Sequence, residues 1–315
     1  MSKKKTNKLL IYILLILLAA VVVNQIIKSK KGERTFKSEL LSFSADDVKS
    51  LSIFTKENKF EEMKLIRNGD DWRISFAEQE YSADGDMASN MANDLGKLKA
   101  DRLVANNKDK WTDFDVTDTT GVRVIVNGDK DVLCDVFIGR FAYDQNSRKA
   151  STYVRLNGEK DVYSVEGYLS MLFNRDVNGF RNKSLFRGNQ NDLTKLSFQF
   201  PGDSAFTLSK VEDKWMIGDM PADSVKTATF LTGISYLVGT DFVDAFDINA
   251  PDFHNYSVSL DGENMSTVVL TGYRNESGNS VLTSSQNPGS MIDASNGDLF
   301  EKVFLGPGYF MGIQE

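Results

Sequence analysis

A stretch near the beginning of the chain is repeated about 144 residues further on. The residues "FKSELLSFSADDVKSLSIF" (36–54) align with "FRNKSLFRGNQNDLTKLSFQF" (180–200). The alignment pairs Phe36 with Phe180 and Leu51 with Leu196. Because two copies are too few for a solenoid, the repeat predicts one folded unit that is present twice.

The agreement between the two copies continues at two tryptophans. Trp72 in "NGDDWRIS" matches Trp215 in "VEDKWMIG", and each follows a polar turn and begins a short alternating strand. A pair of tryptophans could line a ligand pocket. Their equivalent placement favours a core position in each copy, because a duplicated fold needs its packing residues twice.

An amphipathic helix is predicted after each tryptophan strand. Ser82 and Asp84 supply the cap and the first-turn acid in the first copy, and Asp223 or Ser224 caps the second helix. Apolar residues recur at helical spacing on one face of each helix: Met87, Met91, Leu95 and Leu98, then Phe230, Ile234, Leu237 and Val238. We interpret the methionines as core residues rather than as ligands.

Alternating strands follow each helix and end at Asn127-Gly128 and Asp261-Gly262. These dipeptides are typical of type I′ hairpin turns, so antiparallel strands and a short closing helix are expected next. The predicted fold class is α+β, with two tandem, duplicated modules that each combine an antiparallel sheet with a helix. The first repeat is assigned to residues 47–179 and the second to residues 180–315.

The N-terminal segment Leu9–Ile27 has no charged residue and is long enough to cross a bilayer as a helix. A cleaved secretory signal is the alternative, but its apolar region is usually about 7 to 15 residues long and ends at an A-x-A-like site. We expect an uncleaved single transmembrane helix at 9–27. Residues 1–8 then form a cytoplasmic tail and residues 28–46 a juxtamembrane linker.

The charges of the chain are unevenly distributed. Residues 1–34 hold eight Lys or Arg and one acid, whereas the remaining residues hold 29 basic and 43 acidic residues, a formal charge of −14. The short basic tail is typical of a signal anchor, so we expect a bacterial inner-membrane protein with its C-terminal domain in the periplasm. The acidic body argues against nucleic-acid binding.

The residue types needed for common catalytic sites are scarce. His254 is the only histidine, and the only cysteine, Cys134, lies in the apolar run "VLCDVFIG", where a buried strand position is expected. There is no Gly-x-Ser-x-Gly elbow and no Walker loop, and "FLGPGYF" is interpreted as a Gly/Pro turn. We therefore predict a protein that is not an enzyme and binds no cofactor.

Two further groups of residues were considered as sites. Asp115, Asp118, Asp129 and Asp131 lie near predicted turns and could hold calcium, but the EF-hand spacing is missing and no metal site is predicted. Tyr153 and Arg155 are two residues apart on one strand face. They are a candidate interaction surface, although an Arg stem packed beside a Tyr on an exposed sheet is the simpler interpretation.

The order of several segments resembles a known family. "VKSLSIF", the Trp72 strand, the acid-capped helix, "FDVTDTTGVRVIV", "VFIG", "TYVRLNGEKDVYSV" and "FRNKSLF" together resemble the domain-of-unknown-function family 4340, over Asp46–Phe246 with a weaker continuation. Members resemble this chain in having an N-terminal anchor, and many are encoded beside gliding-type ABC-transporter genes in Bacteroidota. The resemblance implies ABC-transporter membrane subunits or other envelope proteins as partners, and it implies no catalytic residues.

Three functions are compatible with these observations. The leading hypothesis is a non-enzymatic, membrane-anchored accessory or scaffold subunit of an ABC-type transporter complex outside the cytoplasm. The second is an envelope module that binds a lipid, a peptide or a glycan in a pocket between the repeats. The third is an acid-dependent hydrolase that uses a pair of carboxylates.

Overall fold

The computed structural model describes residues 36–247, 250 and 252–313, and it is dominated by antiparallel sheets with few helices. The predicted transmembrane helix at 9–27 lies outside these residues, as do the tail 1–8 and the first part of the linker 28–46. None of the helices in the described residues combines the length and the apolar composition that a membrane span requires.

The first sheet is built from residues 50–166 and has nine strands in the order β4-β3-β2-β1-β6-β7-β8-β9-β5. Its strands are β1 (Ser50–Phe54), β2 (Met63–Asn68), β3 (Asp71–Phe76), β4 (Gln79–Ser82), β5 (Ala100–Ala105), β6 (Val122–Asn127), β7 (Val132–Asp144), β8 (Lys149–Leu156) and β9 (Val162–Glu166). All neighbouring strands are antiparallel, both in the hairpins and in the non-consecutive pairs β1–β6 and β5–β9.

The second sheet begins after residue 184 and repeats this order as β14-β13-β12-β11-β16-β17-β18-β19, beside a separate β10–β15 pair. The strands of this part are β10 (Ser184–Arg187), β11 (Leu193–Phe200), β12 (Ser204–Val211), β13 (Lys214–Ile217), β14 (Met220–Pro221), β15 (Tyr236–Val238), β16 (Phe253–Gly262), β17 (Val268–Asn275), β18 (Ser280–Ser284) and β19 (Met291–Asp293). The order of eight of the nine strands of the first sheet therefore occurs a second time, whereas β15, the counterpart of β5 in chain order, pairs with β10 instead.

Equivalent central strands have equivalent neighbours in the two sheets. Leu51 on β1 lies opposite Leu65 and Val126, and Leu196 on β11 lies opposite Leu208 and Leu260. Since side chains alternate across a strand, this register places the same positions of the repeat in the core of each half.

One helix crosses each sheet at the predicted place: α1 (Gly85–Gly96) and α3 (Ser224–Ile234). Asp84 caps α1 by accepting a hydrogen bond from the Met87 N–H, and Asp223 caps α3 by accepting from the N–H groups of Val225 and Lys226. A carboxylate at this position satisfies backbone donors that have no partner within the helix. The predicted cap Asp223 is confirmed, whereas in the first half Asp84 is itself the cap and Ser82 is the last residue of β4.

Short helices close each half: α2 (Leu169–Phe173) in the first, then α4 (Leu299–Val303) and α5 (Pro307–Phe310) in the second. The sequence predicted α2 and α4 but assigned "FLGPGYF" to a turn. That assignment was wrong, because Pro307 stands at the first turn of α5, where its missing N–H costs nothing. Phe310 at the end of α5 is fully buried.

The two halves have separate apolar cores. The first contains Leu51, Ile53, Trp72, Ile74, Met91, Leu95, Val124, Val154 and Phe180. The second is rich in aromatic residues and contains Leu196, Phe198, Leu208, Phe230, Ile234, Val258, Leu270, Phe300 and Phe310. We call residues 36–180 the first half and residues 181–313 the second half, because Phe180 packs only in the first of these cores.

The tight turns lie at positions other than those that the sequence predicted. Both residues of the turns 77–78 and 212–213 have positive φ, as a type I′ turn requires. Asn127 and Gly128 do not have positive φ. The predicted type I′ turn at this dipeptide was wrong, because a longer connection reverses the chain and is closed by a hydrogen bond from the Gly128 N–H to the Asp131 carbonyl (2.9 Å).

Arg181 joins the two halves. Its side chain is only 3% exposed, and Nη1 donates to both carboxylate oxygens of Asp244 at 2.8 and 3.0 Å. Its guanidinium lies between two aromatic rings, with Tyr81 of the first half at 4.2 Å and Phe242 of the second at 3.7 Å. A planar cation suits this position because it can stack on both rings and still donate hydrogen bonds in its plane.

Backbone hydrogen bonds strengthen the same junction. The Asp84 N–H donates to the Phe180 carbonyl (2.9 Å), and the Asn182 N–H donates to the Ser82 carbonyl (2.8 Å). Arg187 of the second half pairs with Asp86 on α1 at 2.7 Å. The beginning of α1 is therefore attached to the segment that leads from the first half into the second.

We expect Arg181→Ala to lower the free energy of unfolding by about 2 kcal/mol, because the variant loses charge-assisted hydrogen bonds and two ring contacts at a buried position. Arg181→Lys should recover little of this loss, since an ammonium cannot stack on both rings. Equilibrium denaturation of the purified chain measures the effect.

Arg73→Ala is the matched control for this experiment. Arg73 pairs with Glu80 at 3.2 Å, and both side chains are mostly exposed, so a loss of under about 1 kcal/mol is expected. Equal losses for the Arg181→Ala and Arg73→Ala variants would contradict the assignment of Arg181 as the residue that holds the halves together.

Cys134 on β7 is buried in the first core, as the sequence predicted. Burial raises the pKa of its thiol to about 12, and the neighbouring carboxylate of Asp135 acts in the same direction. At neutral pH the folded chain should therefore hold roughly a thousandth of the thiolate of an unfolded cysteine.

A thiol-specific reagent should consequently react with the native chain only as fast as the first half unfolds. In denaturant the reaction should be complete within the dead time of a standard absorbance assay. Rapid labelling of the native chain, at a rate similar to that in denaturant, would show that the β7 position is open to solvent.

Candidate functional site

A groove with a volume of about 670 Å³ lies in the first half. One wall is formed by residues 93–99, at the end of α1, and the other by residues 166–175, from the end of β9 through α2. We call this surface the first groove. Its volume falls in the range of about 300 to 1,000 Å³ that is typical of sites for small ligands.

Two glycines shape the walls of the first groove. A side chain on Gly96 would meet the Phe43 carbonyl oxygen, so only glycine lets the last turn of α1 approach the chain there. Gly167 has a φ of +115°, which L side chains rarely adopt, and it turns the chain from β9 toward α2. Tyr168 and Met171 are consequently brought to the rim of the groove.

The first groove combines an apolar floor with a charged rim. Leu98 and Leu169 are buried in the floor, whereas Tyr168 and Met171 at the rim are 59% and 54% exposed. Exposed large apolar side chains that lie together in this way mark contact surfaces more often than scattered ones do. Such a surface is suited to an amphipathic partner.

Three cations and two carboxylates line the same groove. The cations are Lys97, Lys99 and Arg175. Of the two acids, Glu166 pairs with Lys149 at 3.6 Å, and burial raises the pKa of Asp94, an effect that the nearby Lys97 opposes. The groove is thus a local basic surface on an acidic body.

A second groove of about 460 Å³ occupies the equivalent place in the second half, between residues 238–241 and residues 293–302. Its balance of charge is the reverse, since Asp241, Asp293 and Asp298 face one cation, Lys302. A hydrogen bond from Lys302 to Asp298 lowers the pKa of that carboxyl. The repeated architecture therefore carries two grooves of unlike chemistry.

The candidate interaction surface at Tyr153 and Arg155 is covered by the chain itself. The 3-10 segment Lys108–Phe114 packs over this face of the sheet, with Trp111 stacked at 3.8 Å on the Arg155 guanidinium and Phe114 at 4.7 Å from Tyr153. Arg155 is 2% exposed. The two residues share a face as predicted, but Arg155 is inaccessible to a partner.

Arg155 instead holds a loop in place. Its Nε donates to the Val116 carbonyl at 3.0 Å, its guanidinium also lies 4.1 Å from the Phe137 ring, and Asp118 is 3.8 Å away. Burial lowers the pKa of Arg155, and the carboxylate of Asp118 counters part of that effect. The sequence could not reveal this role, because Trp111 and Arg155 are brought together only by tertiary packing.

The four residues that marked the repeat are packing residues. Trp72 is buried in the first core, whereas Trp215 is partly exposed and packs against the second. Their backbones are equivalent, since the Trp72 carbonyl accepts from the Ala83 N–H and the Trp215 carbonyl accepts from the Ala222 N–H. In each half this hydrogen bond joins the tryptophan strand, β3 or β13, to the residue before the helix cap. The shared bond explains why the two tryptophan strands align.

Phe36 and Phe180 differ in their surroundings. Phe36 is half-buried, with its ring 6.3 Å from that of Tyr163. Phe180 is buried, and its carbonyl accepts a hydrogen bond from the Asp84 N–H, as the Phe310 carbonyl does from the Asp223 N–H. Phe180 thus closes the first half in the way that Phe310 closes the second.

The remaining candidates do not converge on a site. His254 is exposed on β16 opposite Arg274. Asp118 lies near Arg155, and Asp129 pairs with Lys49 at 3.6 Å. Within the described residues no group of three His, Cys, Asp or Glu side chains is arranged to hold a metal ion.

A small polar cavity of about 130 Å³ lies at the junction of the halves. Gly85, Ser184, Arg187 and Asn287 line it, and Ser184 Oγ and Arg187 Nε have no hydrogen-bond partner among the described residues. The volume is below the range of sites for drug-sized ligands. A few water molecules fit this space and would satisfy these atoms.

The first groove was not identified from the sequence. Its residues come from two segments about 70 positions apart, and the strand pairing of β5 with β9 brings them together. The only local signal was the presence of Tyr168 and Met171 on the outer side of a short helix, where polar residues are usual.

Comparison with known proteins gives one match. The family model described as Domain of unknown function (DUF4340) matches residues 72–256, which is more than half of the chain. Neither the curated proteins nor the solved structures contain a match to this chain. The matched region extends from the Trp72 strand across the Arg181 junction to β16, and the chain belongs to the DUF4340 family.

Proposed function

We propose that the protein is a non-enzymatic accessory or scaffold subunit, anchored in the bacterial inner membrane by Leu9–Ile27, that works outside the cytoplasm with an ABC-type transporter complex. The observation that carries the proposal is the pair of equivalent grooves with opposite charge balance. A body with two unlike docking positions can hold two different neighbours at a fixed separation.

The anchor and the duplication are parts of the same proposal. The apolar segment at 9–27 supports a single span with the N-terminus in the cytoplasm. The common strand order, helix position and acidic caps support a tandem duplication with repeats at 47–179 and 180–315. The Arg181 junction supports a rigid connection between the repeats, as a scaffold needs.

A second candidate is an envelope module that binds a lipid, a peptide or a glycan. The junction between the repeats, where such a pocket is expected, holds a cavity of about 130 Å³ among the described residues. The volume and apolar floor of the first groove favour that location instead. Mass spectrometry of small molecules that copurify with the chain distinguishes this candidate from the scaffold.

Purification of the full chain in mild detergent tests the scaffold. We expect transporter membrane subunits and a nucleotide-binding subunit to copurify, and Asp241→Lys with Asp293→Lys should reduce their yield at least about fivefold by reversing the charge of the second groove. Glu57→Lys with Glu61→Lys, at exposed loop positions, is the matched double charge reversal and should leave the yield unchanged. A chain that always purifies alone contradicts the proposal.

The anchor is tested separately. The full chain should resist extraction from membranes by alkaline carbonate, because its apolar segment remains in the hydrocarbon core. A fragment that begins at Arg34 should stay soluble without detergent, since the body beyond it is strongly acidic. Release of the full chain by carbonate, or recovery of a mature chain that lacks residues 1–27, would refute the anchor.

A further inference from the structure

We propose that the first groove faces the lipid bilayer and contacts the headgroups of anionic phospholipids. This inference rests on the proposed membrane anchor and adds to it the orientation of the folded body. Four observations support it: where the chain enters the fold, how far the anchor can be, which side chains form the rim, and how charge differs between the two grooves.

The chain enters the fold beside the wall of the first groove. The Leu40 N–H donates to the Leu98 carbonyl at 2.9 Å, and Glu39 forms a bridge opposite Lys99. Leu98 and Lys99 are themselves groove residues. The segment that follows Phe36 is therefore attached directly to the groove.

The distance from the anchor to this point is limited. Nine peptide units separate Ile27 from Phe36, and a fully extended chain of that length spans about 30 Å. A compact chain of nearly 300 residues has a radius of gyration of about 19 Å, so its diameter exceeds this tether. The side of the body that carries Phe36 must consequently stay near the membrane.

The rim of the first groove has the side chains of a membrane-contacting surface. Tyr168 stacks on Phe141 with ring centroids 5.6 Å apart, and Tyr143 on the same strand as Phe141 is also exposed. Met171 at the rim is exposed as well, whereas Phe141 is half-buried beneath Tyr168. Tyrosine is enriched at membrane–water interfaces because its ring is apolar and its hydroxyl remains hydrated.

The charges of the rim select anionic lipids. Lys97, Lys99 and Arg175 surround the apolar floor, and four more cations precede Phe36 in the sequence between positions 28 and 34. Of the carboxylates that face these cations, Glu166 is paired with Lys149, and Asp94 lies beside Lys97. Basic residues at such a surface are attracted by the negative potential of anionic headgroups.

The second groove provides an internal comparison. It has the same position in the repeat but exposes three aspartates around one lysine, so anionic lipids would be repelled there. Where the first groove has Tyr168 at its rim, the second groove has Gly297 and Asp298. Of these two grooves in the described residues, the one in the half that follows the anchor has the aromatic and basic rim.

Fluorescence quenching in reconstituted vesicles tests the inference on the full chain. Tyr168→Cys carries a maleimide fluorophore, while the native Cys134 stays unlabelled because it is buried. The vesicles contain phosphatidylethanolamine and phosphatidylglycerol with brominated acyl chains as quencher. We expect the fluorescence of this label to fall at least about twofold relative to vesicles without bromine, as for a probe at the acyl boundary.

Val225→Cys is the matched control. Val225 is 73% exposed at the beginning of α3 in the second half, and its label should show no quenching. Adding Lys97→Glu, Lys99→Glu and Arg175→Glu to the Tyr168→Cys chain should abolish the quenching, as should replacement of the lipids by phosphatidylcholine. Quenching that survives the three substitutions would overturn the role of the basic rim.

The experiment distinguishes failure of the membrane anchor from failure of the groove contact. A chain that does not float with the vesicles overturns the anchor and this inference together. A chain that floats while the Tyr168→Cys label remains unquenched, or is quenched no more than the Val225→Cys label, overturns the groove contact and leaves the anchor intact. Met171→Cys repeats the measurement at a second rim position and should behave like Tyr168→Cys.

Discussion

The register of the central strand in each half is the constraint on which the rest of the structure depends. β1 lies between β2 and β6, and β11 lies between β12 and β16, so each central strand fixes both sides of its sheet at once. Leu51 and Ile53 enter the first core, and Leu196 and Phe198 enter the second. A shift by one residue would turn these side chains to the opposite face, and the helix above would lose its packing surface.

The two halves are joined by a specific contact, which the Arg181 side chain makes. The guanidinium is bound by Asp244 and contacts Phe242, both in the second half, and it reaches the first half through the Tyr81 ring and a hydrogen bond to Asn178 Oδ1 (3.1 Å). The neighbouring hydrogen bonds from Asp84 and Asn182 tie the same segment to the beginning of α1. These contacts link the two halves that carry the grooves, as the proposed scaffold needs.

The two grooves show how a repeated fold can carry unlike surfaces. Architecture is conserved where backbone hydrogen bonds and core packing demand it, as at the acidic caps Asp84 and Asp223. The rim residues of the grooves take no part in these acidic caps or in the core packing, and they differ between the halves. The rim is aromatic and basic in the first half and acidic in the second. In the proposed orientation at the membrane, the first rim contacts lipid and the second is available to a protein partner.

The sequence by itself determined the features that depend on local pattern: the capped helices, the alternating strands and the burial of Cys134. Periodicity and capping act over a few residues, so they can be recognised without a structure. Other features appear only in the tertiary structure. The segment Lys108–Phe114 covers Arg155, and Phe180 packs in the core of the first half. The contacts of Arg181 at the junction and the positions of the grooves also depend on the tertiary structure. Each of these unites residues that are distant in the chain, and no local pattern specifies which distant side chains will meet.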